Sequence, residues 1–338
     1  MSDNFNNLLF TFREYLKVKR YSLATIHTYT RELRALFRYF KGIGIKEIKR
    51  VTRDILKNYQ VSIIQYRDTK GKGYTTATLS LKVRAVKRFF EYLEETNRIL
   101  INPAEYLKEP KKEHRLPRVI LTEEEVRRIF DQPNLSTMRG IRDRTVLEVF
   151  YSTGVRLGEM VNLTIYDIDL QGGLLRVNKG KFAKDRVIPL GRHAIRFLKE
   201  YITHVRPHYT RKNKTIKTPS TKLRTCLFVN QVGGPLSRQS IQLMVRKCAK
   251  RAGIKQKVTP HTFRHTFATG LVRNGADITA VKKMLGHSDL KVTQIYTRVA
   301  GKEIKNTHTK HHPGEKDKAI KEDIKPKIEW IKGPYGKD

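Results

Sequence analysis

Carboxylates are scarce in this chain of 338 residues: 32 Asp and Glu stand against 70 Lys and Arg, a formal charge of +38. So one-sided a balance implies a polyanionic partner, nucleic acid before anything else. An anionic membrane surface is the other option, but it would need an amphipathic anchor or a lipidation motif, and the sequence has neither. Cysteine is nearly absent. Cys226 and Cys248 have no second Cys or His at metal-ligand spacing, so they read as structural thiols in a reducing compartment. No apolar run approaches the roughly 18 residues a membrane helix needs. The opening MSDNFNNLLFTFREY also lacks the basic-then-apolar pattern of a signal peptide. A soluble, cytoplasmic, nucleoid-associated protein is expected. There is no carboxylate cluster suited to Mg²⁺ and no GxxxxGK[ST] phosphate loop, which predicts a reaction with no metal or nucleotide cofactor. No internal repeat is found.

What is present is helical periodicity, then a change of pattern. Phe5, Leu8, Leu9, Phe12, Tyr15 and Leu16 share one helical face. Ser22 can cap a second helix through Tyr29, Leu33, Leu36 and Phe40, and a third runs through Leu79, Val83, Val86, Phe90 and Leu93. Lys82, Arg84, Lys87 and Arg88 fall on the other faces of that third helix. One basic face is usually just solvated, but the excess persists through every helix here and predicts a surface laid on DNA phosphates. Residues 1–108 thus form a small helical domain. Glu109 to Arg118, with Pro110 and Pro117, reads as an extended linker. Thr122 and Glu125 make a capping box that opens a second domain, residues 119–300. Leu174, Leu175 and Val177, then Val187, Ile188 and Leu190, predict a hairpin with the basic turn Lys179 to Lys184 at its tip. Residues 206–225 read as a flexible surface loop. The charged tail 301–338 is expected either as a disordered terminus or as an arm docking on a neighbouring protomer, with Ile304 or the group Ile328, Trp330 and Ile331 as its anchor.

The chemistry concentrates in TPHTFRHTFATGLVRNGADITAVKKMLGHSDLKVTQIYT, residues 259–297. His261 and Arg264 lie three apart, on one face of a helix, and His287 and Tyr296 follow. Two imidazoles, a guanidinium and a phenol suggest a phosphate site with a nucleophile. Arg156, in YSTGVRLGE, offers a second fixed cation. A tyrosine can cut a phosphodiester and keep the bond energy in a covalent intermediate. Its unperturbed pKa of about 10 demands surroundings that accept its proton or stabilise the phenolate. The phosphorane transition state is served best by planar guanidinium groups that stay charged and bind two oxygens at once.

In these segments the sequence resembles the tyrosine recombinases of the phage-integrase and Xer class. The match is carried by Arg156 in TGVRLGE, Lys181 in GKFAKDRVIPL, His261 and Arg264 in HTFRH, His287 in LGHSDL and Tyr296 in QIYT, six positions in the family's order. The resemblance implies a mainly α chain with a small β-sheet: a helical, SAM-like core-binding domain followed by a mixed α/β catalytic domain. It implies Tyr296 as the nucleophile, Arg156 and Arg264 on the phosphate, and Lys181 as general acid to the leaving 5′ oxygen. His261 would accept or shuttle a proton, and His287 would donate to the phosphate. Lys179 and Lys184 share the turn with Lys181, and alignment on Gly180-Lys181 and Lys184-Asp185-Arg186 favours Lys181 over Lys179. Glu159, one turn after Arg156, is expected to orient the cluster or a histidine, and His265 to point elsewhere on its helix. By the same resemblance the partners are duplex DNA with specific recombination sites, three further copies of the chain in a tetramer, and accessory DNA-bending or directionality proteins.

Two other classes fit part of this pattern. A DNA-binding protein with the fold but no cleavage would be expected to have lost one of the six residues. A type IB topoisomerase shares the chemistry but lacks the separate helical domain and the Xer-like boxes. Within recombinases, integration or excision, transposition and dimer resolution use the same residues; the long basic stretch 206–225 and the tail tilt the reading towards a mobile element.

Overall fold

The computed structural model describes residues 5–111, 119–178, 185–211, 225–286 and 299–316, with the side chains of 299–304 and 316 left aside. The chain divides into two compact units, Met1–Leu116 and Pro117–Asp338.

The first unit is four helices: α1 (Phe5–Val18), α2 (Leu23–Gly42), α3 (Arg53–Gln65) and α4 (Thr76–Glu95). Ser22, Thr52 and Thr75 start α2, α3 and α4, each hydroxyl accepting a backbone N–H three residues on. Phe12, Phe37, Phe40, Phe89 and Phe90 form an aromatic core, with Phe12 meeting Phe89 edge-on at 5.3 Å between ring centres. The expected faces of α1, α2 and α4 are those buried, but α3 was not anticipated. It buries Leu56, Tyr59 and Ile63 while exposing Val61 and Ile64, so its apolar residues lie on both faces and blur the periodicity.

Of the four cations on the other faces of α4, Lys82 is the one that does not reach the surface. Lys82 is buried and donates to Glu32 Oε2 at 2.7 Å, its ammonium lying over the Tyr74 ring. Burial pushes the Glu32 carboxyl up, but Lys82 and Arg31 outweigh it and hold it below the usual carboxylate range. Arg84 pairs with Glu109, Lys87 donates to the carbonyls of Glu105 and Leu107, and Arg88 bonds Glu91 and the Tyr15 hydroxyl. Arg84, with 52% of its side chain exposed, stays at the surface, and Lys87 and Arg88 are partly buried.

The second unit is built around α6 (Met138–Thr153), buried without interruption from Gly140 to Thr153. Ahead of it, α5 (Glu123–Phe130) begins with the Thr122–Glu125 capping box read from sequence. After it come α7 (Leu157–Met160) and an antiparallel sheet of β1 (Ile168–Asp169), β2 (Leu174–Val177) and β3 (Arg186–Pro189) in that order. The predicted hairpin is β2–β3, with Leu175 opposite Ile188 and Val177 opposite Arg186; two-residue β1 was too short to predict. The hairpin tip, 179–184, lies outside the described residues.

Helix α8 (Arg192–Glu200) runs through a π-helical turn, Tyr201–Val205, into α9 (Arg206–Arg211). The start of the expected loop 206–225 is therefore helix: Tyr209 is buried and Arg206 donates to the Cys226 carbonyl. Next are α10 (Arg238–Arg251), α11 (Pro260–Arg273), α12 (Ile278–Leu285), α13 (Val299–His311) and α14 (Pro313–Lys316). Both cysteines are buried thiols, and burial pushes Cys248 up to about 11.

The described part of the tail packs on its own chain, while both expectations concern a segment running on to residue 338, outside the described residues. His308 and His312 stack at 4.6 Å and are almost wholly buried. Their Nε2 atoms meet the carbonyls of Ser152 (2.7 Å) and Tyr151 (2.9 Å), at the end of α6. Glu315 accepts from the Arg192 backbone N–H and its guanidinium. The anchors are polar, so no hydrophobic pattern marks them. Ile328, Trp330 and Ile331 lie outside the described residues, and the side chain of Ile304 is among those left aside.

Candidate active site

The end of α6 creates the turn on which the site is built. Gly154 ends the helix in the left-handed conformation, φ 59°, and a Cβ there would meet the Phe267 ring at 2.5 Å. Val155 then buries, which leaves Arg156 as the cap of α7 with its side chain 42% exposed. One turn later the Glu159 carboxylate accepts the Arg156 backbone N–H (2.8 Å) and Nη1 (3.0 Å). Glu159 thus bonds Arg156 through its backbone and one side-chain nitrogen.

Arg264 comes from α11, which Thr259 caps and Pro260 opens. It is buried, and its two terminal nitrogens donate to the carbonyls of Gly154 and Leu285, each at 2.7 Å. Burial first, and then the charges of Arg156 and Arg186, lower its pKa to about 10 against the opposing pull of Glu159. It stays protonated at neutral pH. His261 sits three residues earlier and is exposed, with the ring of His265 against it at 4.5 Å. His265 is thus not turned away: positions i and i+4 share a face, and the two imidazoles meet there.

The residue that sequence reasoning missed is Arg186, at the start of β3. It is buried and forms a fork on Glu159, Nη1 to Oε1 at 3.0 Å and Nη2 to Oε2 at 2.7 Å, while Nε donates to the Met284 carbonyl at 2.8 Å. Strand alternation would have found it, since Arg186, Ile188 and Leu190 occupy the inward positions and Val187 the outward one. Burial alone would raise the Glu159 carboxyl; Arg186 and Arg156 overcome it and hold it at about 2. Two guanidinium groups therefore bond a single carboxylate, and a third, Arg264, lies near enough to feel all three charges. Such a cluster keeps an excess of positive charge and is suited to an anion with several oxygens, such as a phosphodiester.

Of the six residues singled out, the structure brings Arg156 and Arg264 together through the Gly154 turn and places His261 on the helix of Arg264. Lys181, His287 and Tyr296 lie outside the described residues. Arg186 and Arg264 hold the adjacent carbonyls of Met284 and Leu285, at the end of the helix that runs into His287.

The family profile described as "Phage integrase family" matches residues 120–303, and "Phage integrase, N-terminal SAM-like domain" matches residues 9–97. Tyrosine recombinase XerD of Staphylococcus aureus (strain N315) is 34% identical over 304 residues, covering 89% of this chain and 97% of that protein. Among solved structures, XerH site-specific recombinase bound to difH substrate in a pre-cleavage complex aligns with TM-score 0.60 and 24% identity over 83% of this chain and 77% of that one. A lambda integrase tetramer bound to a Holliday junction aligns with TM-score 0.60 and 19% identity, covering 87% and 80%. The last two are likenesses of fold. On the family match and the XerD identity, this chain belongs to the phage integrase family of tyrosine recombinases and is a site-specific recombinase enzyme.

Proposed function

We propose that the protein cleaves and rejoins duplex DNA through a covalent bond between Tyr296 and a 3′ phosphate. The Tyr296 oxygen attacks phosphorus, the bond from phosphorus to the 5′ oxygen breaks, and the freed 5′ oxygen takes a proton from Lys181. His261 receives the phenol proton. Arg156, Arg264 and His287 donate to the non-bridging oxygens, where negative charge grows in the transition state. Attack by the 5′ hydroxyl of a second strand reverses the steps and joins the new strand. The observation that carries this reading is the cluster of Arg156, Arg186 and Arg264 around Glu159, a fixed cationic site at the end of the helix leading to His287.

Residues 1–108 and 119–300, joined by the linker 109–118, would both bind the DNA. Four protomers would exchange strands in pairs at a Holliday junction, as the lambda integrase tetramer is named as binding one. The biological task we favour is integration, excision or transposition of a mobile element. About a tenth of this chain lies outside its match to XerD, which leaves room for functions of its own. Dimer resolution is the second reading, and the 34% identity to XerD over nearly all of that protein favours it.

Covalent capture tests the chemistry: nicked duplexes of randomised sequence are incubated with protein, denatured, and the DNA that stays attached is sequenced. The expected result is 3′-linked adducts with a shared sequence, absent with Tyr296→Phe although that variant still binds DNA. An adduct formed by Tyr296→Phe removes Tyr296 as nucleophile, and adducts without a shared sequence point to a topoisomerase. Recombination of the captured site with its own copy would mark resolution; a requirement for two different sites would mark integration.

A further inference from the structure

We propose that Arg186 is a positioning residue of the cleavage reaction: by holding both oxygens of Glu159, it keeps that carboxylate from neutralising Arg156, and so leaves the Arg156 guanidinium available to the phosphate. The inference rests on the proposed function and adds to it a residue that acts through Glu159 and Arg156.

Both arginines reach the same carboxylate. Oε1 takes a nitrogen from each at 3.0 Å; Oε2 takes Arg186 Nη2 at 2.7 Å and the Arg156 backbone N–H at 2.8 Å. Arg156 therefore meets Glu159 through one side-chain nitrogen, whereas Arg186 makes the full two-pronged pair. A carboxylate beside a half-exposed arginine would, left to itself, take that arginine in the fork geometry that suits both groups. Arg186 is the buried competitor that prevents this, with 7% of its side chain exposed. Its strand fixes it further: it lies opposite Val177 in the sheet, and its Nε is tied to the Met284 carbonyl. Together with Arg264 on Leu285, that bond sets the end of α12 against the Arg156 turn. One side chain therefore connects the strand that leaves the Lys181 turn, the Arg156–Glu159 pair and the helix that leads to His287. A displacement of about 1 Å in such a constellation can cost roughly 10²-fold in rate.

The test uses the full-length chain and a nicked duplex carrying the sequence recovered by covalent capture. Adduct formation is timed at saturating DNA, and the dissociation constant and melting temperature are measured alongside. R186M should form adduct roughly 10²-fold more slowly while binding DNA within a few fold of the parent. In the double variant R186M/E159Q the charge that captures Arg156 is gone, and about a tenth of the parent rate or better should return. A role in folding alone predicts no such rescue. R186K keeps the charge without the fork and guards against a misfolded R186M: it should slow adduct formation about tenfold at unchanged affinity. The inference is overturned if R186K and R186M cleave at the parent rate, if affinity falls as far as rate, or if the double variant is no faster than R186M. If the parent protein itself forms no Tyr296 adduct, the proposed function has failed, and this inference falls with it.

Discussion

Single residues in this chain divide by whether their type or their surroundings gives them meaning. His261 and Arg264 were read from their one-turn spacing and Arg156 from its own segment, and the structure brings the two arginines near each other through the Gly154 carbonyl. Lys82 was not legible, since a cation in a chain with 70 of them carries no signal until its burial is known, whereas Arg186 was overlooked although strand alternation marks its position as inward. Lys82 gives a prediction at this scale. Lys82→Met leaves Glu32 buried with only Arg31, whose side chain is 62% exposed, and should destabilise the first unit by about 3 kcal/mol, at the low end for a broken buried pair. Thermal or urea unfolding would register that loss, while the salt dependence of DNA binding should hold. Lys181 gives another. If it protonates the leaving oxygen, Lys181→Ala should cleave slowly on normal DNA and recover on a bridging 5′ phosphorothiolate, which departs without a proton. Recovery in Lys179→Ala and none in Lys181→Ala would transfer the role to Lys179.

Elements were legible wherever apolar residues kept to one face or a cap stood in place, as in α1, α2, α4, α5 and the β2–β3 hairpin. They were illegible where the buried groups are polar, and the tail is the plainest case. His312 Nδ1 accepts the Gly314 N–H at 3.2 Å, so the ring proton sits on Nε2 and is donated to the Tyr151 carbonyl. A second ring proton would displace the Gly314 bond. Burial, then the neighbouring His308, lowers the His312 pKa to about 3, although the Tyr151 bond opposes them; burial lowers His308 as well, against Ser152 and Glu315. The sign follows: the undocked tail takes up protons near pH 6.5 and the docked tail does not. Docking is fully stable above about pH 6.5 and weakens below it, by up to about 1.4 kcal/mol per pH unit for each histidine. Hydrogen-exchange protection over residues 305–316, corrected for the slower intrinsic exchange at lower pH, should be high at pH 7.5 and markedly lower at pH 5.5. Equal protection at both values would show that the histidines do not hold the tail.

For the whole molecule, composition pointed to a polyanionic partner, and membership of a DNA-recombining family agrees with it. What composition could not show is how many of the positive charges are already engaged inside the protein, because that depends on which acidic groups and carbonyls lie beside them. Binding to duplex DNA should weaken by roughly 10³-fold or more between 50 and 200 mM salt if six or more phosphates are contacted. Titration by fluorescence anisotropy at several salt concentrations gives the slope, and a shallow one would mean that most of the excess charge faces solvent. The end of α6 has one further consequence. Its last turn lends Tyr151 and Ser152 to the tail histidines, and the Gly154 that caps it lends a carbonyl to Arg264, which also grips Leu285. The described chain that precedes residue 287 and the described chain from 305 onward are thus both tied to one helix terminus. Releasing the tail histidines would remove one of these two attachments, and the conformational freedom so gained grows with the length of chain set free.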